Sequence, residues 1–166
     1  MKKIININMA DLAVAHENTV LKTTGVGSCV VVTLYDPVKK IGGMAHAMLP
    51  SKKLIEKKTF SKSSKKSKKT NTSSKYADEA IEILIEKINN LGGSIKNLKA
   101  KLIGGSKMFK ILSGDNQGIG FKNTEAARKK LLEKGIQIES EDIGGTVGRS
   151  VEFNIKNGLV SVSTKI

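Results

Sequence analysis

Ile4-Ile5-Asn6-Ile7-Asn8-Met9 alternates apolar and polar positions, a period of two that predicts a first strand. Residues 11–16 and 19–23 read as two further short strands, with Glu17-Asn18 as the turn between them. A small-residue stretch, Gly25-Val26-Gly27-Ser28, leads into Cys29-Val30-Val31-Val32-Thr33-Leu34-Tyr35. That run is β-branched and apolar without alternation, as expected of a strand covered on both faces. Asp36-Pro37-Val38-Lys39 carries a turn signal, with proline where type I and II turns favour it. Residues 41–49 return as the partner strand. Gly42-Gly43 permits a bulge or close backbone approach there, and Pro50 ends it.

Beyond residue 75 the spacing changes. Ala77, Ile81, Leu84, Ile88 and Leu91 step by fours and threes, which predicts a helix over 76–91 with one apolar stripe. Ser73 or Ser74 is its expected cap and Gly92-Gly93 its stop. Residues 98–103 read as a strand running into Gly104-Gly105. A second helix is expected over about 124–134, capped by Asn123 or Thr124 and closed by Gly135. Residues 137–141 read as a strand before a Gly144-Gly145 turn. Residues 150–156 and 159–165 alternate about Asn157-Gly158, the composition of a tight hairpin. Many strands, two helices and no sustained βαβ rhythm or internal repeat make the expected class α+β.

Composition bounds the rest. A chain of 166 residues with 39% hydrophobic content suits one domain, 1–166, with a real core. The first residues lack the apolar core of a signal peptide, and no run approaches the ~18 apolar residues of a membrane helix. A cytoplasmic protein without direct membrane insertion is therefore expected. The net charge of +14 points first to polyanions. Residues 51–75, however, hold ten lysines against one glutamate, and the other 141 residues carry 19 basic and 14 acidic side chains. That segment reads as a solvated, mobile Lys/Ser-rich loop on an ordinary domain, with contact to an acidic partner or phosphates as the alternative. With 4% aromatics and no tryptophan, base-stacking platforms are not expected, and neither is nucleic acid as a partner.

One cysteine excludes an internal disulfide and any multi-cysteine metal site within the chain. Cys29 sits at a Gly/Ser-rich loop-to-strand junction, where small residues leave room for a substrate backbone. A turn centred between Pro37 and Val38 sets His46 directly opposite it, with Cβ atoms roughly 4.5–5.5 Å apart. In that assumed register the imidazole takes the thiol proton and later donates it to a leaving amine. A third group must then hold the ring in the right tautomer. The N–H groups of Gly27, Ser28 and Cys29 are candidates for an oxyanion hole. The competing reading is a buried cysteine acting as a small hydrophobe. His16 has no such partner and reads as a surface or turn histidine.

Residues 23–37, followed by Ile41-Gly42-Gly43-Met44-Ala45-His46 and Met48-Leu49-Pro50, strongly resemble the CheD family, the chemoreceptor glutamine deamidases of bacterial chemotaxis. The likeness continues through Tyr76-Ala77-Asp78, Gly104-Gly105-Ser106-Lys107-Met108-Phe109, Ile119-Gly120 with Asn123, Asp142-Ile143-Gly144-Gly145, Gly148-Arg149-Ser150 and Asn157-Gly158. It implies a mixed β-sandwich flanked by helices, related to deamidating bacterial toxins. It also implies that Cys29 is the nucleophile, His46 the general base and acid, and Thr23 the group that orients the histidine. Without the resemblance, Thr23 is not distinguished from Thr24 or from a plain strand threonine. The implied reaction is that of a protein-glutamine glutaminase: hydrolysis of a receptor glutamine to glutamate through a thioester, with no metal or organic cofactor. Implied partners are chemoreceptors and a CheC-type phosphatase of the response regulator CheY. Ser28, Gly104, Gly105, Met108 and Phe109 are expected on the surface that meets them. Met108 and Phe109 read equally as exposed apolar anchors or as core. Gly144-Gly145 and Arg149 are expected to shape the same region or simply to form a turn. Lys122 stands where the family often has arginine, which loses a bidentate fork if one is used there.

Overall fold

The structure is a computed structural model in which residues 2–53, 73–108 and 118–164 are described. Nine strands run in chain order as β1 (Lys3–Asn6), β2 (Asp11–His16), β3 (Thr19–Val26), β4 (Val30–Asp36), β5 (Ile41–Ala47), β6 (Lys99–Gly104), β7 (Gln137–Ile143), β8 (Arg149–Asn154) and β9 (Val160–Thr164). Helix α1 spans Ala77–Asn90 and α2 spans Gly118–Glu133. The strands form a five-stranded sheet, β2-β5-β4-β6-β7, and a four-stranded sheet, β1-β3-β8-β9. Both sheets are mixed: β6 and β7 are parallel across α2, β1 and β3 are parallel, and the remaining pairs are antiparallel.

The unbroken apolar run in β4 makes it the centre of the three layers. Val30, Val32 and Leu34 face the helices, packing with Ala80, Ile81, Leu84 and Ile88 of α1 and with Ala127 and Leu131 of α2. Alternate residues face the other sheet, where Val31, Met44 and Ile103 meet Leu21, Val26, Val151 and Phe153. Tyr35 lies edge-on to Phe153, with ring centroids 5.8 Å apart. At ~1.5–3 kcal/mol for each large aliphatic side chain fully buried, these two faces supply most of the folding drive. The α+β sandwich with flanking helices is thus the observed architecture.

Several local expectations shift. In the β4–β5 hairpin, Asp36 pairs with Ile41 and Val31 with His46, so the turn centre lies one residue later than the proline signal implies. The cause is Asp36, whose buried carboxylate accepts from the Val38 and Lys39 amides and fastens a four-residue loop. In the β8–β9 hairpin the last ladder pair is Phe153 with Val160, leaving six residues between them, with Gly158 at φ 76°. Tyr76, not Ser73 or Ser74, stands at the α1 N-cap, and it makes no side-chain capping bond. Ser74 instead donates its hydroxyl to the Ala10 carbonyl, tying the start of α1 to β2. The start of α2 lies six residues before Thr124, so Asn123 is inside the helix rather than capping it. The C-terminal glycine signals hold: Gly93 N–H reaches Ile88 O after α1, and Ile136 N–H reaches Leu131 O after Gly135. Most of the lysine-rich segment, residues 54–72, lies outside the described residues.

Candidate active site

Thr23 of β3 is hydrogen-bonded to His46 of β5 across the space between the two sheets, and Cys29 packs in the apolar layer with Val26, Val31 and Met44. Cys29 is not part of β4, which begins at Val30, and it does not sit directly opposite His46. The true partner of His46 is Val31, which places Cys29 one diagonal step away. A shift of two positions preserves the pleat, so both side chains still face the same layer.

Thr23 comes from the opposite sheet. Its hydroxyl lies 2.7 Å from His46 Nδ1 and 2.8 Å from the Ile7 carbonyl oxygen. A carbonyl only accepts, so the single Thr23 proton goes to Ile7, and the hydroxyl oxygen accepts from Nδ1–H. That pair of bonds selects the Nδ1–H tautomer and leaves Nε2 with a free lone pair. Nε2 is buried and, among the described residues, has no hydrogen-bond partner. Thr24 is exposed, which resolves the choice between the two threonines in the geometry.

Burial dominates the electrostatics. Desolvation holds the His46 imidazolium below its ordinary 6.5. It also pushes the Cys29 thiol above its ordinary 9.0, opposed by the residue's own backbone N–H. Each of these burial effects favours the uncharged form of its group.

The loop before Cys29 is fixed from three directions. Ser106 N–H donates to Gly27 O, Asn123 Nδ2 to Ser28 O, and Gly105 N–H to Cys29 O, at 2.9, 2.8 and 2.7 Å. Gly104 and Gly105 both have positive φ, and a Cβ on Gly104 would stand 2.4 Å from the Cys29 carbonyl oxygen. Arg149 is buried and donates to Ser106 Oγ and the Gly104 and Gly144 carbonyls, with Asp142 beside it. Its role and that of Gly144 are to hold this loop. Met108 is 45% exposed, and its side chain lies over Gly27, so it is a rim residue rather than core. Ser28 is half-buried next to Cys29, and His16 is exposed at the end of β2. Phe109 lies outside the described residues. Sequence reasoning missed the contributions of Ile7 and Asn123: one acts through a backbone carbonyl, and the other resembled a helix cap. Among the described residues no cluster of three or more His, Cys, Asp or Glu side chains suits a metal ion. No described helix is long and apolar enough to cross a membrane.

The chain is 42% identical over 165 residues to the chemoreceptor glutamine deamidase CheD of Halalkalibacterium halodurans, covering 99% of this chain and 95% of that protein. It is 40% identical to the Thermotoga maritima protein of the same name, covering 98% and 91%. The Bacillus licheniformis hypothetical protein YfiH shares the fold, with a TM-score of 0.50 at 16% identity. That match covers 82% of this chain and half of YfiH. A family profile described as CheD chemotactic sensory transduction matches residues 48–164. This chain belongs to the CheD family.

Proposed function

We propose that this protein is a cytoplasmic chemoreceptor glutamine deamidase that converts receptor glutamine side chains to glutamate, with Cys29, His46 and Thr23 as its catalytic group. The carrying observation is the unpartnered, buried Nε2 of a histidine whose other nitrogen is occupied by Thr23. The names of the relatives supply the substrate class.

In this mechanism Nε2 takes the Sγ proton as the sulfur attacks the glutamine carboxamide carbon. The tetrahedral oxyanion is met by N–H groups of the Gly27–Cys29 loop. Its collapse breaks the C–N bond. The imidazolium returns its proton to the departing nitrogen, which leaves as ammonia. Water, deprotonated by Nε2, then cleaves the thioester to glutamate and restores the thiol. Throughout, Nδ1–H stays bonded to Thr23, whose neutral oxygen orients the ring without fixing a proton on Nε2. No step requires a metal or organic cofactor. A methyl ester at the same receptor position presents the same carbonyl, so an esterified substrate belongs in the assay.

A receptor fragment containing glutamine is expected to release ammonia with the wild-type protein and none with Cys29→Ala. Ammonia release by Cys29→Ala at the wild-type rate would remove the proposal. The exposed Met108 rim supports a second, compatible role, docking of a CheC-type phosphatase over the same site. Met108→Asp is then expected to weaken that binding, and undiminished affinity argues against it.

A further inference from the structure

The geometry points to Asn123 as a positioning residue that closes the open end of the β4–β5 ladder and thereby aims the Cys29 amide N–H at the reacting atoms.

Asn123 is fully buried in α2, where an asparagine is neither a good helix former nor an apolar core residue. Its Nδ2 donates to Ser28 O at 2.8 Å and to Met48 O at 3.0 Å. The last ladder pair is Val30 with Ala47, so Ser28 and Met48 belong to the two chain segments just past the point where β4 and β5 stop pairing. One segment leads into Cys29; the other leaves His46. A single amide bridges them where the sheet no longer does. Both acceptors are carbonyls, so a flipped amide would set Oδ1 against two oxygens. The orientation of the side chain is therefore determined by its partners. Its own Oδ1 is buried and, among the described residues, has no hydrogen-bond partner, a cost the helix carries at this position.

The consequence follows from peptide geometry. No peptide bond among the described residues is cis. In a trans peptide the carbonyl of one residue and the N–H of the next point in opposite directions. Drawing Ser28 O toward Asn123 turns the Cys29 N–H away from α2. In agreement, that N–H favours the ionised form of its own thiol. The same donor is placed to meet an oxyanion that forms on a carbonyl attacked by Sγ. The inference rests on the deamidase reading for its kinetic readout, and on the thiol alone for its other one.

Asn123→Ala removes both donors, and Asn123→Asp keeps the shape while replacing the paired donor. In both, kcat on a glutamine-containing receptor fragment is expected to fall by about 10²-fold with KM little changed, the scale of one lost oxyanion donor. The pH midpoint of Cys29 alkylation by iodoacetamide is expected to rise. Cooperatively folded variants that keep the wild-type kcat and alkylation midpoint overturn the assignment. If neither variant folds, the wild-type protein decides: its Asn123 Hδ2 protons are expected to exchange slowly by NMR, and exchange as fast as that of an exposed asparagine overturns it. Should Cys29→Ala retain deamidation in the same assay, the functional reading fails, and the alkylation and exchange results still judge Asn123.

Discussion

At the scale of single residues, the proposed chemistry turns on where the Thr23 proton goes. Because the Thr23 hydroxyl gives its hydrogen to Ile7 O, it accepts from His46 and fixes the free lone pair on Nε2. Thr23→Val removes that acceptor and is expected to lower kcat by about 10- to 100-fold. That is less than the ~10²–10⁴-fold attributed to a general base itself. Thr23→Ser, which keeps the oxygen, is expected to restore most of the rate. A Thr23→Val enzyme as fast as wild type contradicts the tautomer argument. The pH dependence follows from burial. In the proposed mechanism His46 must be neutral to act, and burial holds it below its ordinary 6.5, so the acid limb of kcat/KM is expected below pH 6.5. The same shift makes the protein's stability fall with acid. The folded form resists a proton that the unfolded chain accepts, so the contribution is present above 6.5 and lost as pH falls through the folded value. Urea midpoints measured on either side of 6.5 check the sign, which His46→Gln should weaken. The sequence pattern proposes Cys29 and His46 as a pair, in a register that the structure replaces with Val31 opposite His46. It did not reach Thr23, 23 positions from His46 and on another sheet, because strand periodicity says nothing about which residues meet across a sandwich. The family likeness reached it.

At the scale of elements, a turn sets the register and glycines set the approach. Asp36 explains why the expected β4–β5 pairing was displaced: its carboxylate, not Pro37, organises the loop. It also accepts from Ser94 N–H and Asn97 Nδ2, joining the hairpin to the segment after α1. Burial alone would raise its pKa, but these four donors hold it below the ordinary value. Asp36→Ala strands buried donors and is expected to cost ~3 kcal/mol or more in urea unfolding. A loss below about 1 kcal/mol would mean the turn holds its register without it. The displacement was invisible in the pattern because a two-position shift leaves every side chain on its original face. Gly104 tests the approach of β6 to Cys29. Gly104→Ala combines positive φ with a Cβ 2.4 Å from Cys29 O, so it must move the Cys29 loop. Its expected signature is a larger loss in kcat than in thermal stability. Equal kcat would show that Cys29 tolerates the shift. The early start of α2 was missed for a related reason. Gly118 and Gly120 look like helix breakers, yet a Cβ at Gly120 would strike the Gly105 and Ser106 carbonyl oxygens at 2.6 Å. Close packing of α2 against the residues after β6 requires glycine at that position.

At the scale of the whole molecule, the candidate site draws on three layers: Thr23 from one sheet, His46 from the other with Cys29 just before its strand β4, and Asn123 from the helices behind it. The sequence gives the layers through its apolar periods, and it leaves their mutual placement to packing that no local pattern encodes. The net charge bears on none of this, since most of it sits in residues 51–75. Replacing the lysines at 57, 58, 62, 65, 66, 68 and 69 with serine is expected to leave deamidation of an uncharged glutamine peptide unchanged. A fall in that rate would tie the segment to the chemistry. The central claim concerns Cys29 and a receptor glutamine, and mass spectrometry of receptors coexpressed with this protein tests it most directly. Wild type is predicted to convert specific glutamines to glutamates, and Cys29→Ala to leave every one of them as glutamine. Converted glutamines in the Cys29→Ala sample, at the wild-type extent, would contradict the account.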